Sequence, residues 1–440
     1  DSGAKMSESA SGEGPRTLAK APDGPIWVAN EGSDTVTVHS QWGGNSTATI
    51  QFPRGSGPFG VVFTPDGNNA FVTLSESWQI ARVNPSNRQI VEIIDANPYP
   101  RGIAVSSDSS TLYVTRFISP DEQGEVYKYR VSDLALLDTI ALAFDNTPDS
   151  EDDGKGVPNF LVSPIISPDG KTLAIPSTKP NIARGLIRDG VALDFDNTVR
   201  TITSFIDLDT GKEDINRRID LNDRDSAVAG AFSPLGNYLF VVTQGANTIE
   251  LLDPYTGDIL ASFEGTGLAP RGVALNPDGT RLYVQNFMSR DVKVYDISKI
   301  TEDNQNLVSE IVTTDVVANE TLSAEVLLGK QIFYNAEDPR MSQDKYISCA
   351  SCHTDGGQDG RVWDFTNRDE GLRNTIDLNG RSGMGHGFVH WSANFDEIQD
   401  FENDIRLHQA GEGFLTDAQF NATEDTLGAK KAGLSSDLDA

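Results

Sequence analysis

The chain has 440 residues, 65 acidic against 35 basic, for a formal net charge of −30. That length leaves room for two or three domains, and the charge argues against nucleic acid and anionic membrane surfaces as partners. No apolar run approaches the roughly 20 residues of a membrane-spanning helix. The chain opens at Asp1 with no basic-then-apolar leader, so any export signal is expected to have been removed. Residues 1–15, beginning DSGAKMSESASGEG, are small and polar and read as a disordered lead-in.

From Arg16 a phrase repeats: a short apolar strand, a tight turn, a second strand often ending in Val-Thr, then two more strands. The turn recurs at Pro22-Asp23-Gly24, Pro65-Asp66-Gly67, Ser107-Asp108, Pro168-Asp169-Gly170, Pro234-Leu235-Gly236 and Pro277-Asp278-Gly279. Three of the five spacings are 42 or 43 residues, the length of one four-stranded blade. These units resemble the YVTN-type β-propeller over residues 16–318. The resemblance implies a mainly β fold of six or seven blades, a seventh having room only in irregular stretches.

The other two spacings, 61 and 66 residues, each contain a polar insertion. In the first, Asp149, Glu151 and Asp153 before Gly154 imitate the start of a calcium loop, but the closing position is Phe160, so a solvated acidic loop is the better reading. The second, Asn181 to Arg200, carries Arg184, Arg188 and Asp189. Both are expected on a rim, facing a C-terminal domain or a partner. Arg101 and Arg271, each in Pro-Arg-Gly, point toward the channel mouth, where pairing with an Asp is favoured over an anion site. His39 is the propeller's lone histidine, which makes a copper cluster or a propeller-held haem improbable.

Around residues 301–325 the β pattern fades through TEDNQN, and Ser323 then reads as the N-cap of a helix with Glu325 in its first turn. Residues 319–440 are expected to form a second domain, small and α-helical. It contains Cys349-Ala350-Ser351-Cys352-His353, the C-x-x-C-H signature of covalent haem c attachment. Two thiols one helical turn apart can form thioethers to a haem, and the next imidazole can reach the iron as proximal ligand. These are the only cysteines, so a structural zinc site of three or four thiolates cannot be built. A thioredoxin-like pair needs neither the histidine nor this context.

The run LGKQIFYNAEDPRMSQDKYISCASCH over 328–353 resembles the first haem domain of bacterial di-haem cytochrome c peroxidases. Asp359-Gly360, Arg373-Asn374-Thr375 and His390-Trp391-Ser392-Ala393-Asn394-Phe395 continue the resemblance. It implies haem held by Cys349, Cys352 and His353, a calcium ligand at Asn374, and an electron conduit at Trp391. The sequence departs from the family in two places. No histidine lies in 354–372, where the family has its distal ligand, so the distal candidates are His386, then His390, then Met384. The chain also stops without a second C-x-x-C-H, so the domain is expected to be truncated or to work with one haem.

Haem attachment implies a periplasmic or extracellular bacterial protein. The sequence supports an exported cytochrome c with one haem, acting in electron transfer or in a peroxidase-like oxidoreductase. Its partner would be a redox protein or a second haem domain. The alternative is a propeller binding module for adhesion or partner recognition, with the haem accessory.

Overall fold

The computed structural model describes residues 4–22, 24–41, 43–300, 309–380 and 387–440. Six antiparallel sheets form the blades of a propeller, and a small helical region follows. The blades begin with Pro15–Lys20, Pro58–Phe63, Pro100–Val105, Ile165–Ile166, Ala227–Phe232 and Pro270–Leu275. These first strands pack against the next blade's first strand in blades one to three and four to six, which makes them the innermost. The fourth blade differs: Ile219–Leu221 adds a further strand to Val199–Asp207. The open question of six or seven blades resolves at six.

The repeated turn explains the regularity. Gly67, Gly170, Gly236 and Gly279 all have φ between 68° and 74°, where only glycine avoids strain. Within that turn the Asp66 carboxylate accepts from the Thr64 hydroxyl at 2.6 Å and the Asn68 N–H at 3.0 Å. Inward-facing residues of adjacent blades then share a core. Trp27 meets Phe63 edge-on at 5.0 Å, and Phe71 and Ile80 pack with Leu112, Val114 and Tyr127. Burying side chains of this size contributes roughly 1.5–3 kcal/mol each.

Three local readings change. The last propeller strand, Ser309–Asp315, pairs with Asp291–Asp296, so the β pattern outlasts the fade read from residue 301. The first insertion is a solvated acidic loop only in part, with Glu151 and Asp152 exposed. Asp149 pairs with Arg184 and accepts from Asn181 at 3.1 Å, and Asp153 lies 2.9 Å from the buried Lys179. Asp149 and Asp153 are therefore committed to cations of the chain itself. Residues 4–14 have no regular structure, yet Ser9 lies 3.1 Å from Nδ1 of the buried His39, whose other nitrogen meets Thr37 at 3.0 Å.

The C-terminal region contains α1 (Ala324–Phe333), α2 (Cys349–Cys352), a hairpin of Val362–Phe365 with Gly371–Asn374, α3 (Phe401–Leu407), α4 (Asp417–Ala422) and α5 (Ser436–Asp439). Ser323 caps α1 by accepting from Val326 N at 3.2 Å. Among the described residues no helix is long and apolar enough to cross a membrane. The region is fastened to the propeller by buried polar groups. Asn247 donates to Asn335 and Glu337 at 2.8 Å each, and the buried Arg361 guanidinium pairs with Asp121 at 2.6 Å. Both insertions face this region: Arg188 donates to the Val362 carbonyl at 2.6 Å, and the Glu151 carbonyl accepts from Tyr346 at 3.4 Å.

Candidate haem-attachment site

The four residues of α2 make one helical turn, entered from Ser348 and closed when His353 N donates to the Cys349 carbonyl at 3.0 Å. The turn brings both cysteines to one side, and both thiols are free. Burial pushes the Cys349 thiol up to about 11, with the Asp225 charge adding to it. Cys352 moves further in the same direction, through burial and then the Asp359 and Asp225 charges. Neither is the low-pKa thiolate that redox or metal chemistry requires.

His353 is held for ligation. Its Nδ1 lies 3.2 Å from the Gly357 carbonyl; a carbonyl only accepts, so Nδ1 carries the proton and Nε2 the lone pair. Burial lowers the pKa of this imidazole, partly offset by the Gly357 carbonyl and the Asp359 charge, so the neutral form prevails. A neutral imidazole with its far nitrogen donating to a carbonyl is the arrangement of an oriented metal ligand. Leu378, an exposed apolar side chain, donates its N–H to the Gly356 carbonyl, three residues from His353, at 2.8 Å. Paired thiols and a tautomer-fixed imidazole fit haem c. Among the described residues no group of three or more His, Cys, Asp or Glu is placed to hold a bare metal ion.

The propeller meets both ends of this turn. On one side, Asp225 precedes the first strand of the fifth blade and accepts from Ser348 at 2.7 Å and Ser351 at 2.8 Å. On the other, Asp355 lies 3.0 Å from Arg16 and 3.7 Å from Arg101 and pairs with Arg271. Burial alone would raise the Asp355 carboxyl, but Arg271, Arg16 and Arg101 hold it well below the usual range. Arg101 is itself clamped, 4.3 Å from the Phe59 ring and 3.6 Å from that of Phe117. The expected pairing of Arg101 and Arg271 with an Asp is thus found, but that Asp belongs to the C-terminal domain.

The remaining candidates scatter. His390 Nδ1 is 3.1 Å from Glu370 and from Asn394, and Nε2 is 3.8 Å from Asp404. Both nitrogens of His390 face carboxylates, which argues against a distal ligand there. Met384 and His386 lie outside the described residues. Trp391 is 62% exposed and donates its indole N–H to the Asn374 carbonyl at 2.8 Å. The Asn374 side chain is at the surface. Asp225 and His408 went unread in the sequence. His408 is buried against Phe365 with rings 5.5 Å apart, and its Nδ1 has no hydrogen-bond partner among the described residues.

The fold and this site define a class: a haem c domain carried on a six-bladed YVTN-type propeller. Residues 323–418 match the family described as di-haem cytochrome c peroxidase, so the C-terminal region carries that domain. The chain is similar to the "Uncharacterized protein YncE" of Salmonella typhimurium, 29% identical over 89 residues, 20% of this chain and 24% of that protein. A protein of the same description from Salmonella typhi is 28% identical over the same length. The chain thus matches about a quarter of the length of these curated relatives. Kuenenia stuttgartiensis hydrazine synthase superposes with a TM-score of 0.52 at 18% identity, covering 68% of this chain and 86% of that one, a likeness of fold.

Proposed function

We propose that the protein is an exported c-type cytochrome that relays electrons, as the redox unit of a peroxidase-like oxidoreductase or as a carrier to one. The observation that carries this reading is the geometry of α2. Two free thiols share one turn, beside a neutral imidazole whose Nδ1 is pinned by Gly357, inside the stretch that matches the peroxidase family. Cys349 and Cys352 would hold the haem and His353 would be its axial ligand. The bound haem supplies a one-electron iron centre.

The chain's own residues account for the rest. Gly357 orients His353, burial keeps that imidazole neutral, and the propeller contacts fix the turn so that little reorganises when charge changes. His386 and Met384 are the better distal candidates, since both His390 nitrogens face carboxylates. Trp391, exposed and anchored to Asn374 beside the site, is where electrons would leave toward a redox partner or second haem domain. Calcium at Asn374 would need further oxygen ligands from that partner.

The test is maturation of the full chain in a cytochrome c-competent bacterium. The expected product has the mass of the chain plus one haem, a c-type reduced spectrum, and turnover of peroxide with a reduced cytochrome donor or rapid exchange with one. A colourless chain of bare mass would end the proposal. A haem-bearing chain without peroxide turnover would leave the carrier role.

A further inference from the structure

Two carboxylates of the domain boundary touch the haem-attachment segment, and they are opposite in kind. Asp355 is neutralised by three arginines. Asp225 is 2% exposed, and its partners are hydroxyls: Ser226 at 2.6 Å, Ser348 at 2.7 Å and Ser351 at 2.8 Å. It makes no ion pair within the described residues. A buried carboxylate without a cation is expensive, and the fold makes room for this one. A Cβ on Gly245 would lie 2.0 Å from its Oδ2, so only glycine can stand there. The same Gly245 accepts through its carbonyl from Ala336 N at 2.9 Å, tying the cradle to the C-terminal domain.

The two serines that Asp225 holds are well chosen. Ser348 is the residue from which α2 starts, and Ser351 stands between the two cysteines. They are also joined to each other, Ser348 N donating to the Ser351 hydroxyl at 2.8 Å. One propeller carboxylate therefore grips the turn on both sides of Cys349. Its charge also reaches both sulfurs, since it disfavours the thiolate of each.

Resting on the haem reading above, we propose that Asp225 is a propeller-borne positioning residue of the haem site, fixing the Cys349–Cys352 turn and placing an uncompensated negative charge beside it that favours oxidised iron. The haem site is then a composite of the two domains, and the propeller takes part in setting its redox poise.

Asp225→Asn keeps the shape and one accepting oxygen but removes the charge. The parent and variant are matured as full chains and titrated at pH 8, where a carboxyl pushed up to about 6 by burial is ionised. The reduced-to-oxidised ratio at a fixed poise should rise on the order of tenfold in the variant, the scale of a unit charge acting through a protein interior. An unchanged ratio in a folded, haem-bearing variant overturns the proposal. A parent chain that takes up no haem overturns the haem reading itself, and this inference with it. Should the variant not accumulate, Ser348→Ala/Ser351→Ala reads the same grip from the other side. Its haem should show a broadened low-spin electron paramagnetic resonance signal, and a spectrum and potential superimposable on the parent's would overturn the positioning role.

Discussion

Arg16 lies 3.0 Å from Asp355, so the first strand of the first blade is paired with a residue two places beyond the haem-attachment histidine. Arg101 and Arg271 reach the same carboxylate from the third and sixth blades. The three arginines occupy equivalent places. Each follows a proline that pairs with the end of the next strand: Pro15 with Asn30, Pro100 with Arg116, Pro270 with Asn286. One anion of the C-terminal domain therefore ties together the inner strands of three blades.

Asp355→Asn should separate the two domains energetically. Removing the anion leaves three guanidinium groups facing one another with Glu31 as their remaining nearby acid, and breaking a buried pair from one side costs about 3–5 kcal/mol. The expected result in calorimetry is a lower midpoint and a C-terminal transition that runs ahead of the propeller's. A single transition at the parent temperature would refute it.

Lys179 does for the insertions what Asp355 does for the three blades. Its ammonium is 1% exposed and lies 3.0 Å from Asp145, 2.9 Å from Asp153 and 2.9 Å from Asp220. Lys179→Met should cost a similar 3–5 kcal/mol by leaving those carboxylates together. It should also loosen residues 145–156, which hang on two of the three. Limited proteolysis is the check: new cleavage is expected in that stretch first, and a parent-like digestion pattern would count against the claim.

How far the sequence discloses all this depends on range. The blades were legible because each depends on neighbours in sequence. Gly67 and its equivalents mark turns, and the residues after them alternate. C-x-x-C-H was legible for the same reason. The interface was not. Arg101 and Arg271 showed as odd charges in Pro-Arg-Gly, yet nothing local names Asp355 as their partner, and Arg16 escaped because its proline is followed by Arg-Thr. Asp225 left no distinguishing trace. It stands two residues before a first strand, where other blades have Ser56, Pro98 and Leu268. The first blade has Glu13 at the same offset, so an acid there does not by itself single out Asp225. His408 left none, because burial of a lone histidine is decided by packing against Phe365 from another element.

His353→Ala should separate attachment from ligation. Both thiols remain, so the matured chain should still gain the mass of one haem. The imidazole whose Nδ1 is held by Gly357 would be missing, and the absorption spectrum should move to high spin with a raised potential. A variant with the parent's spectrum would mean that another residue is the proximal ligand.

His408 should set part of the acid limit of stability. Burial, with the Arg368 charge adding to it, pushes this imidazole down to about 3 from its ordinary 6.5. Between those two values the unfolded chain is protonated at this site and the folded chain is not. The unfolded state therefore binds more protons, and stability present above pH 6.5 is lost as pH falls toward 3. Asp220 and Asp225, both pushed up to about 6 by burial, act with the opposite sign between pH 6 and 3.8, so the parent's curve is a compromise. His408→Phe isolates the histidine while keeping an aromatic ring against Phe365. Urea titrations should give a constant difference between variant and parent above pH 6.5. Below it the variant should gain steadily, by on the order of a few kcal/mol by pH 4. Two curves that stay parallel down to pH 4 would show that His408 is not the buried neutral group described here.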